Sequence, residues 1–247
     1  MKNRVALVTG GTGAIGTEIC AALARSGCRA VATCHNLGSE QSDAWLEKMS
    51  ARGHQIELAA CDVAEYEATH AMVRDIEARV GPVDILVNAA GITRDATLRK
   101  MTPDQWHAVI AVNLDSVFNA TRSVIEGMMD RGYGRIVSIS SVNGQKGQFG
   151  QANYAAAKAG MHGFTMSVAR EVARKGITVN TVSPGYIDSP MIQAVPDDVR
   201  EKIKGEIPVG RFGRPEEIGR VVAFLASEES GFITGADIPV NGGQFIY

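Results

Sequence analysis

Cysteine is scarce in this 247-residue chain: Cys20, Cys28, Cys34 and Cys61 all fall in the first quarter and form no CxxC pair. That argues against a disulfide framework or a cysteine zinc site, and inert thiols are expected. Histidine is nearly as sparse, and positions 35, 54, 70, 107 and 162 show neither HxxxH nor HExxH spacing. They read as surface or packing residues, and no metal site is expected. No apolar run approaches the ~18 residues that would span a bilayer, and MKNRVALVTGG meets an apolar strand without a long signal-like core. A cytoplasmic protein with no membrane partner is expected. Neither sign of charge dominates, since 25 Lys+Arg face 27 Asp+Glu for a net −2, so nothing points to nucleic acid.

What is present is an alternation. Short β-branched runs at 4–9, 30–34, 55–61, 84–88, 135–140, 177–183 and 237–240 are separated by helical stretches near 15–26, 40–52, 65–80, 103–130, 152–175 and 215–227. Strands apolar on both faces and separated by helix-length segments predict a parallel sheet covered on both sides. Right-handed crossovers make that an α/β, doubly wound parallel sheet in a single domain. The stretch 186–212 breaks the pattern with three prolines and two glycines, and it reads as a lid at the carboxyl edge of the sheet.

VTGGTGAIG (8–16) follows the first strand and opens a helix. Backbone N–H groups at a helix start bind phosphate, and Gly10, Gly11, Gly13 and Gly16 allow close approach. After the second strand, CHNLGSEQSD (34–43) offers no Lys or Arg to a ribose 2′-phosphate, and it lacks the Asp that would grip a 2′-hydroxyl. Asn36, Ser39 and Glu40 are the polar candidates there. NADH is favoured over NADPH, with both left open.

Further motifs keep strict order: Asp62 after strand three, NAAG (88–91) after strand four, Asn113 in VNL, Ser141 closing strand five, Tyr154-x-x-x-Lys158, and SPGYIDSPM (183–191). The set resembles the short-chain dehydrogenase/reductase family over essentially the whole chain, including the 13-residue step from the active-site Ser to Tyr. That resemblance implies a Rossmann fold with strand order 3-2-1-4-5-6-7 and a nicotinamide cofactor. It places Gly10, Thr12, Gly13, Ile15 and Gly16 at the phosphates, Asp62 and Val63 at the adenine, Asn88 and Gly91 along the ribose and phosphates, and Pro184, Gly185, Ile187 and Ser189 at the nicotinamide end. Asn113, Ser141, Tyr154 and Lys158 match the catalytic set, with Tyr154 and Lys158 also touching cofactor.

The chemistry has its own logic. A ketone that accepts hydride becomes an alkoxide and needs a proton donor and a polarising group. Lys158, one helical turn from Tyr154, is expected to lower the phenol's pKa. Ser141 is placed to hydrogen-bond the carbonyl, and the resemblance gives Asn113 a water-linked proton relay.

Between Ser141 and Tyr154 lies GQKGQFGQ, with amides at Gln148 and Gln151 and an aromatic at Phe149. With Asp95, Lys100 and Tyr186 these positions resemble the acyl-CoA site of the acetoacetyl-CoA reductases, which implies reduction of acetoacetyl-CoA to the (R)-3-hydroxy product for polyhydroxybutyrate synthesis. The competing enzyme is a 3-oxoacyl-(acyl-carrier-protein) reductase, for which Arg131, Arg135, Arg174 and Lys175 would form a basic patch. A silent nucleotide-binding scaffold is the remaining alternative, and the intact Asn-Ser-Tyr-Lys set argues against it. Val109, Val112, Val117, Val124, Met161, Phe164, Met166 and Val168 offer more apolar surface than one sheet face covers, so a homotetramer is expected.

Overall fold

The seven β-branched runs pair into one sheet. In a computed structural model, which describes residues 1–246, β1 (Val5–Thr9), β2 (Arg29–Cys34), β3 (Ile56–Ala60), β4 (Val83–Asn88), β5 (Gly134–Ile139), β6 (Ile177–Pro184) and β7 (Asp237–Val240) lie within two residues of the sequence expectation. All neighbouring strands are parallel, in the order β3-β2-β1-β4-β5-β6-β7. This is the doubly wound Rossmann arrangement. The order reverses between β1 and β4, which opens a crevice at their carboxyl ends.

The described residues form ten α-helices: α1 (Ala14–Arg25), α2 (Glu40–Ala51), α3 (Tyr66–Arg79), α4 (Pro103–Ile110), α5 (Ser116–Arg131), α6 (Val142–Lys146), α7 (Ala152–Val172), α8 (Pro190–Gln193), α9 (Asp197–Gly205) and α10 (Pro215–Ala226). Side chains of α1, α2 and α10 fill one core layer, and those of α3, α5 and α7 fill the other. Leu7 and Val8, adjacent on β1, point to opposite layers and are both fully buried, as the two-faced strand pattern requires. Full burial of such side chains contributes about 1.5–3 kcal/mol each. Trp45 of α2 donates its indole N–H to Thr17 Oγ1 of α1 at 2.8 Å, so the ring enters the core without an unpaired donor.

Three expectations change. The two long helices expected near 103–130 run into one another through a π-helical turn at Ala111–Asp115, which carries Asn113. The glycine- and glutamine-rich stretch after Ser141 is helical over Val142–Lys146, because Ser141 caps it by accepting the N–H of Asn143 at 3.1 Å. The irregular segment 186–212 contains α8 and α9, started by Ser189, Pro190 and Pro196. Among the apolar positions read as surplus, Val109, Val117, Val124 and Met161 are fully buried inside this chain. The exposed large side chains on that layer are Phe118 and Met166. Among the described residues no helix is long and apolar enough to cross a membrane.

Candidate active site

The turn after β1 is shaped by backbone. Gly10 has φ +62°, and a Cβ there would lie 2.7 Å from the Ala90 backbone, while a Cβ on Gly16 would run into the Gly10 carbonyl. Gly13 caps α1 with no side-chain partner, so the first-turn N–H groups face an open cleft lined by Gly10, Gly13, Ala14, Ile15 and Gly16. A pyrophosphate fits such a cradle, where bare backbone and the positive end of the helix meet. Thr9 Oγ1 accepts the N–H groups of Ala89 and Ala90 and so ties the turn after β4 to the same place.

The cleft is about 450 Å³ and runs along the carboxyl ends of β1, β4, β5 and β6. Its walls include Gly91, Ser141, Gln151, Tyr154, Lys158, Pro184, Gly185, Tyr186, Ile187 and Ser189, so most of the residues singled out from sequence converge. A second hollow, of about 210 Å³, holds Thr12, Asn36 and Ser39 with Cys34, His35 and Trp45, and neither Lys nor Arg lines it. Ser39 is already engaged as the cap of α2, accepting from Ser42 N. Asp62 and Val63 follow β3 outside the walls of both hollows. Asn88 is buried, donates to Ser138 Oγ at 3.1 Å, and leaves its Oδ1 without a partner.

Tyr154 and Ser141 share a hydrogen bond inside the cleft. Burial pushes the Tyr154 phenol up, the Ser141 hydrogen bond pulls it back, and the Asp95 carboxylate raises it further. The ammonium of Lys158 lies 5.5 Å from the phenol ring centroid and donates to the Ile139 carbonyl at 2.7 Å. Burial without a carboxylate partner lowers the Lys158 pKa to about 7. The net shift of the Tyr154 phenol is thus upward, against the lowering expected from Lys158, because burial outweighs the groups that stabilise the phenolate, and the Lys158 amine itself is directed at a backbone carbonyl. Asn113 Oδ1 accepts Ile92 N–H at 2.7 Å and its Nδ2 donates to Ile92 O at 2.9 Å, which fixes the turn after β4.

At the mouth, Asn143 Nδ2 donates to Gln151 Oε1 at 2.9 Å, and Gln151 Nε2 donates to Asp95 Oδ2 at 2.8 Å. This chain, with Ala96 N–H donating to Gly150 O, staples the loop after β4 onto the start of α7. Asn143 escaped the sequence reading, and the signal was there: it stands two residues after Ser141, where its own N–H is capped. Tyr186 is held from behind, its N–H donated to Gln244 Oε1 at 2.8 Å. Lys100, Gln148 and Phe149 do not line the cleft, and Phe149 is 87% exposed at the tip of its loop.

Of the residues that would form a basic patch for a carrier protein, Arg131, Arg174 and Lys175 are exposed and Arg135 is not available to it. Arg135 is buried and donates to the carbonyls of Gly134, Gly176 and Ser227, and Arg131 donates to Val83 O. Residues 134, 176 and 83 lie at the amino ends of their strands, opposite the cleft.

A family model described as enoyl-(acyl carrier protein) reductase matches residues 11–244. The chain is 56% identical to an acetoacetyl-CoA reductase of Allochromatium vinosum over 99% of both chains, and 56% identical to one of Cupriavidus necator over 98% of both. It is 44% identical to a 3-oxoacyl-(acyl-carrier-protein) reductase of Escherichia coli, over 99% of this chain and 98% of that one. With the strand order, the glycine turn and the Ser141, Tyr154 and Lys158 geometry already described, these likenesses establish that the chain belongs to the short-chain dehydrogenase/reductase family of oxidoreductases.

Proposed function

We propose that this protein reduces the 3-keto group of acetoacetyl-CoA to give (R)-3-hydroxybutyryl-CoA. The observation that carries the proposal is the convergence of Ser141, Tyr154 and Lys158 on one cleft whose mouth is framed by Gln151, Asp95 and Tyr186. It is supported by two acetoacetyl-CoA reductases among its relatives at 56% identity.

The backbone cradle of Gly10, Gly13, Ile15 and Gly16 would hold the pyrophosphate of a nicotinamide dinucleotide, and Pro184, Gly185, Ile187 and Ser189 would bound its nicotinamide end. When bound, that group supplies the hydride. Ser141 donates to the substrate carbonyl oxygen and orients it toward Tyr154. Tyr154, kept protonated by burial, donates its proton to the oxygen as negative charge develops there. Lys158, in its protonated form, offsets the negative charge that this transfer leaves on Tyr154, its Nζ lying 5.5 Å from the phenol ring centroid. Asn113 holds the turn after β4 beside that amine and is the residue proposed to support a water-linked proton relay. With no cation lining the Asn36 and Ser39 hollow, NADH is the proposed cofactor.

Residues 186–212, with α8 and α9, act in this reading as the substrate lid: Tyr186, Ile187, Ser189 and Ile192 already form one wall of the cleft. Lys100, Gln148 and Phe149 meet the distal acyl-CoA at the rim. The active assembly is proposed to be a homotetramer.

The decisive measurement is steady-state reduction of acetoacetyl-CoA against a carrier-protein-linked 3-oxoacyl substrate, each with NADH and NADPH. A kcat/KM higher for the CoA thioester and for NADH is expected. Preference for the carrier protein overturns the substrate reading, and strong preference for NADPH overturns the cofactor reading. Tyr154→Phe is expected to lose ~10²–10⁴-fold in kcat with dinucleotide affinity kept, the range for a general acid.

A further inference from the structure

The face of α7 that carries Tyr154 and Lys158 continues one turn further to His162. His162 Nε2 lies 2.8 Å from Ser140 Oγ, and Ser140 Oγ donates to the Lys158 carbonyl at 2.9 Å. With its proton given to that carbonyl, the Ser140 oxygen is left to accept, so His162 must present an N–H at Nε2. On the same side of the ring, Ser183 Oγ lies 3.4 Å from Nε2. Asp237 at the start of β7 lies 3.6 Å from that nitrogen, close enough for charge attraction but too far for a hydrogen bond. Its Oδ1 accepts Thr181 and Ser183 hydroxyls, each at 2.7 Å, and its Oδ2 accepts Gln145 Nε2 at 2.7 Å.

Four of these contacts bear on residues of the proposed reaction. Ser140 precedes Ser141, Gln145 lies in the helix that Ser141 caps, Ser183 precedes the Pro184-Gly185 wall, and Lys158 is held by its own carbonyl. We propose that His162, with Asp237 beside the same ring nitrogen, is a positioning residue for hydride reduction: through Ser140 it fixes the spacing between the Ser141 strand end and the Tyr154-Lys158 turn of α7. Packing alone does not call for this arrangement. An apolar side chain would fill the same space, whereas a partly buried His and Asp must each be matched by hydrogen bonds to persist.

The inference deepens the proposed reduction and rests on it, so the test uses the full-length enzyme and whichever 3-oxoacyl thioester the parent turns over fastest. His162→Leu removes the N–H donor at similar volume. His162→Gln keeps an amide N–H at the place of Nε2. For His162→Leu, kcat is expected to fall by ~10–100-fold, the scale for sub-ångström misplacement of reacting groups, with dinucleotide Kd and Tm little changed. His162→Gln is expected to restore kcat to within ~5-fold of the parent, the residual reflecting a longer, freer side chain.

A second readout needs no substrate. In protein labelled with ¹³C-lysine, the titration midpoint of Lys158 is expected to move in His162→Leu and to return in His162→Gln. Parental kcat and an unmoved Lys158 midpoint in His162→Leu overturn the proposal, as does His162→Gln being as impaired as His162→Leu. A parent that reduces no thioester defeats the functional reading alone, and the Lys158 titration then decides the positioning role by itself.

Discussion

At the residue scale the site is organised around an unfavourable burial. Lys158 is 4% exposed and has a carbonyl for its partner, and burial lowers its pKa from the usual 10.5 to about 7. The folded chain therefore binds fewer protons at this group than the unfolded chain between about pH 7 and 10.5. Its contribution to stability rises with pH across that window and is least favourable below it. The cost at neutral pH is on the order of 4 kcal/mol, the free-energy equivalent of the shift. Lys158→Met keeps the length and removes the charge, so it is expected to raise Tm at pH 6–7 while abolishing turnover. That gain should shrink as pH approaches 10. A Tm series across pH checks this, and a variant that melts below the parent at pH 7 refutes it. On the proposed function, that is the pattern of a residue retained for chemistry at the expense of stability.

At the scale of elements, α6 is the piece that brings Ser141 to Tyr154, and it does so by lying flush on α7. Gly144 is the contact: a Cβ there would sit 2.8 Å from Lys158 Cβ and 2.9 Å from its carbonyl carbon. Gly144→Ala must push the two helices apart at the residue that can least tolerate it. A destabilisation of about 1–3 kcal/mol is expected from overpacking, together with a fall in kcat exceeding the change in KM. Denaturant midpoints and kinetics measure both, and a fully active, equally stable variant would show that α6 is free to shift. This element also marks the limit of what sequence conveyed. The seven strands and the long helices were legible because two-faced apolar runs and 3.6-residue periodicity are local signals. The Ser141, Tyr154 and Lys158 convergence was legible because two of the three share one helix face and the third ends a strand. Residues 142–146 gave no such signal, since five residues make little more than one turn and their helix depends on a cap and on packing against α7. The orientation of the Lys158 amine was likewise unreadable, because its partner is the backbone carbonyl of Ile139, nineteen residues earlier. His162 was classed with the packing residues because its partners, Ser140 and Asp237, come from strand ends far apart in the chain.

At the scale of the whole molecule the question is what covers the α3, α5 and α7 layer. Most of the apolar side chains on those helices turn inward, and what remains outside is a smaller aromatic set. Phe118 is 51% exposed and stacks on Tyr66 at 6.2 Å, and Tyr66 in turn stacks on His70 at 5.9 Å. Met166, 53% exposed, stands on α7 of the same layer. Aromatic and methionine side chains outside a well-filled core are the composition of an association surface. If this layer is one of the two interfaces of the proposed homotetramer, the particle in solution should have about four times the 26.2 kDa chain mass. Phe118→Glu places a carboxylate where a partner ring would be desolvated, so it is expected to yield smaller species by light scattering while the strand order and secondary structure persist. Because Phe118 lies outside the cleft walls, the dissociated form should still bind dinucleotide, and any drop in kcat would measure how far assembly holds the lid and α7 in place. A variant that keeps the parental mass would place the subunit contacts on another face, and a parent that runs as a monomer would remove the assembly from the proposed function altogether.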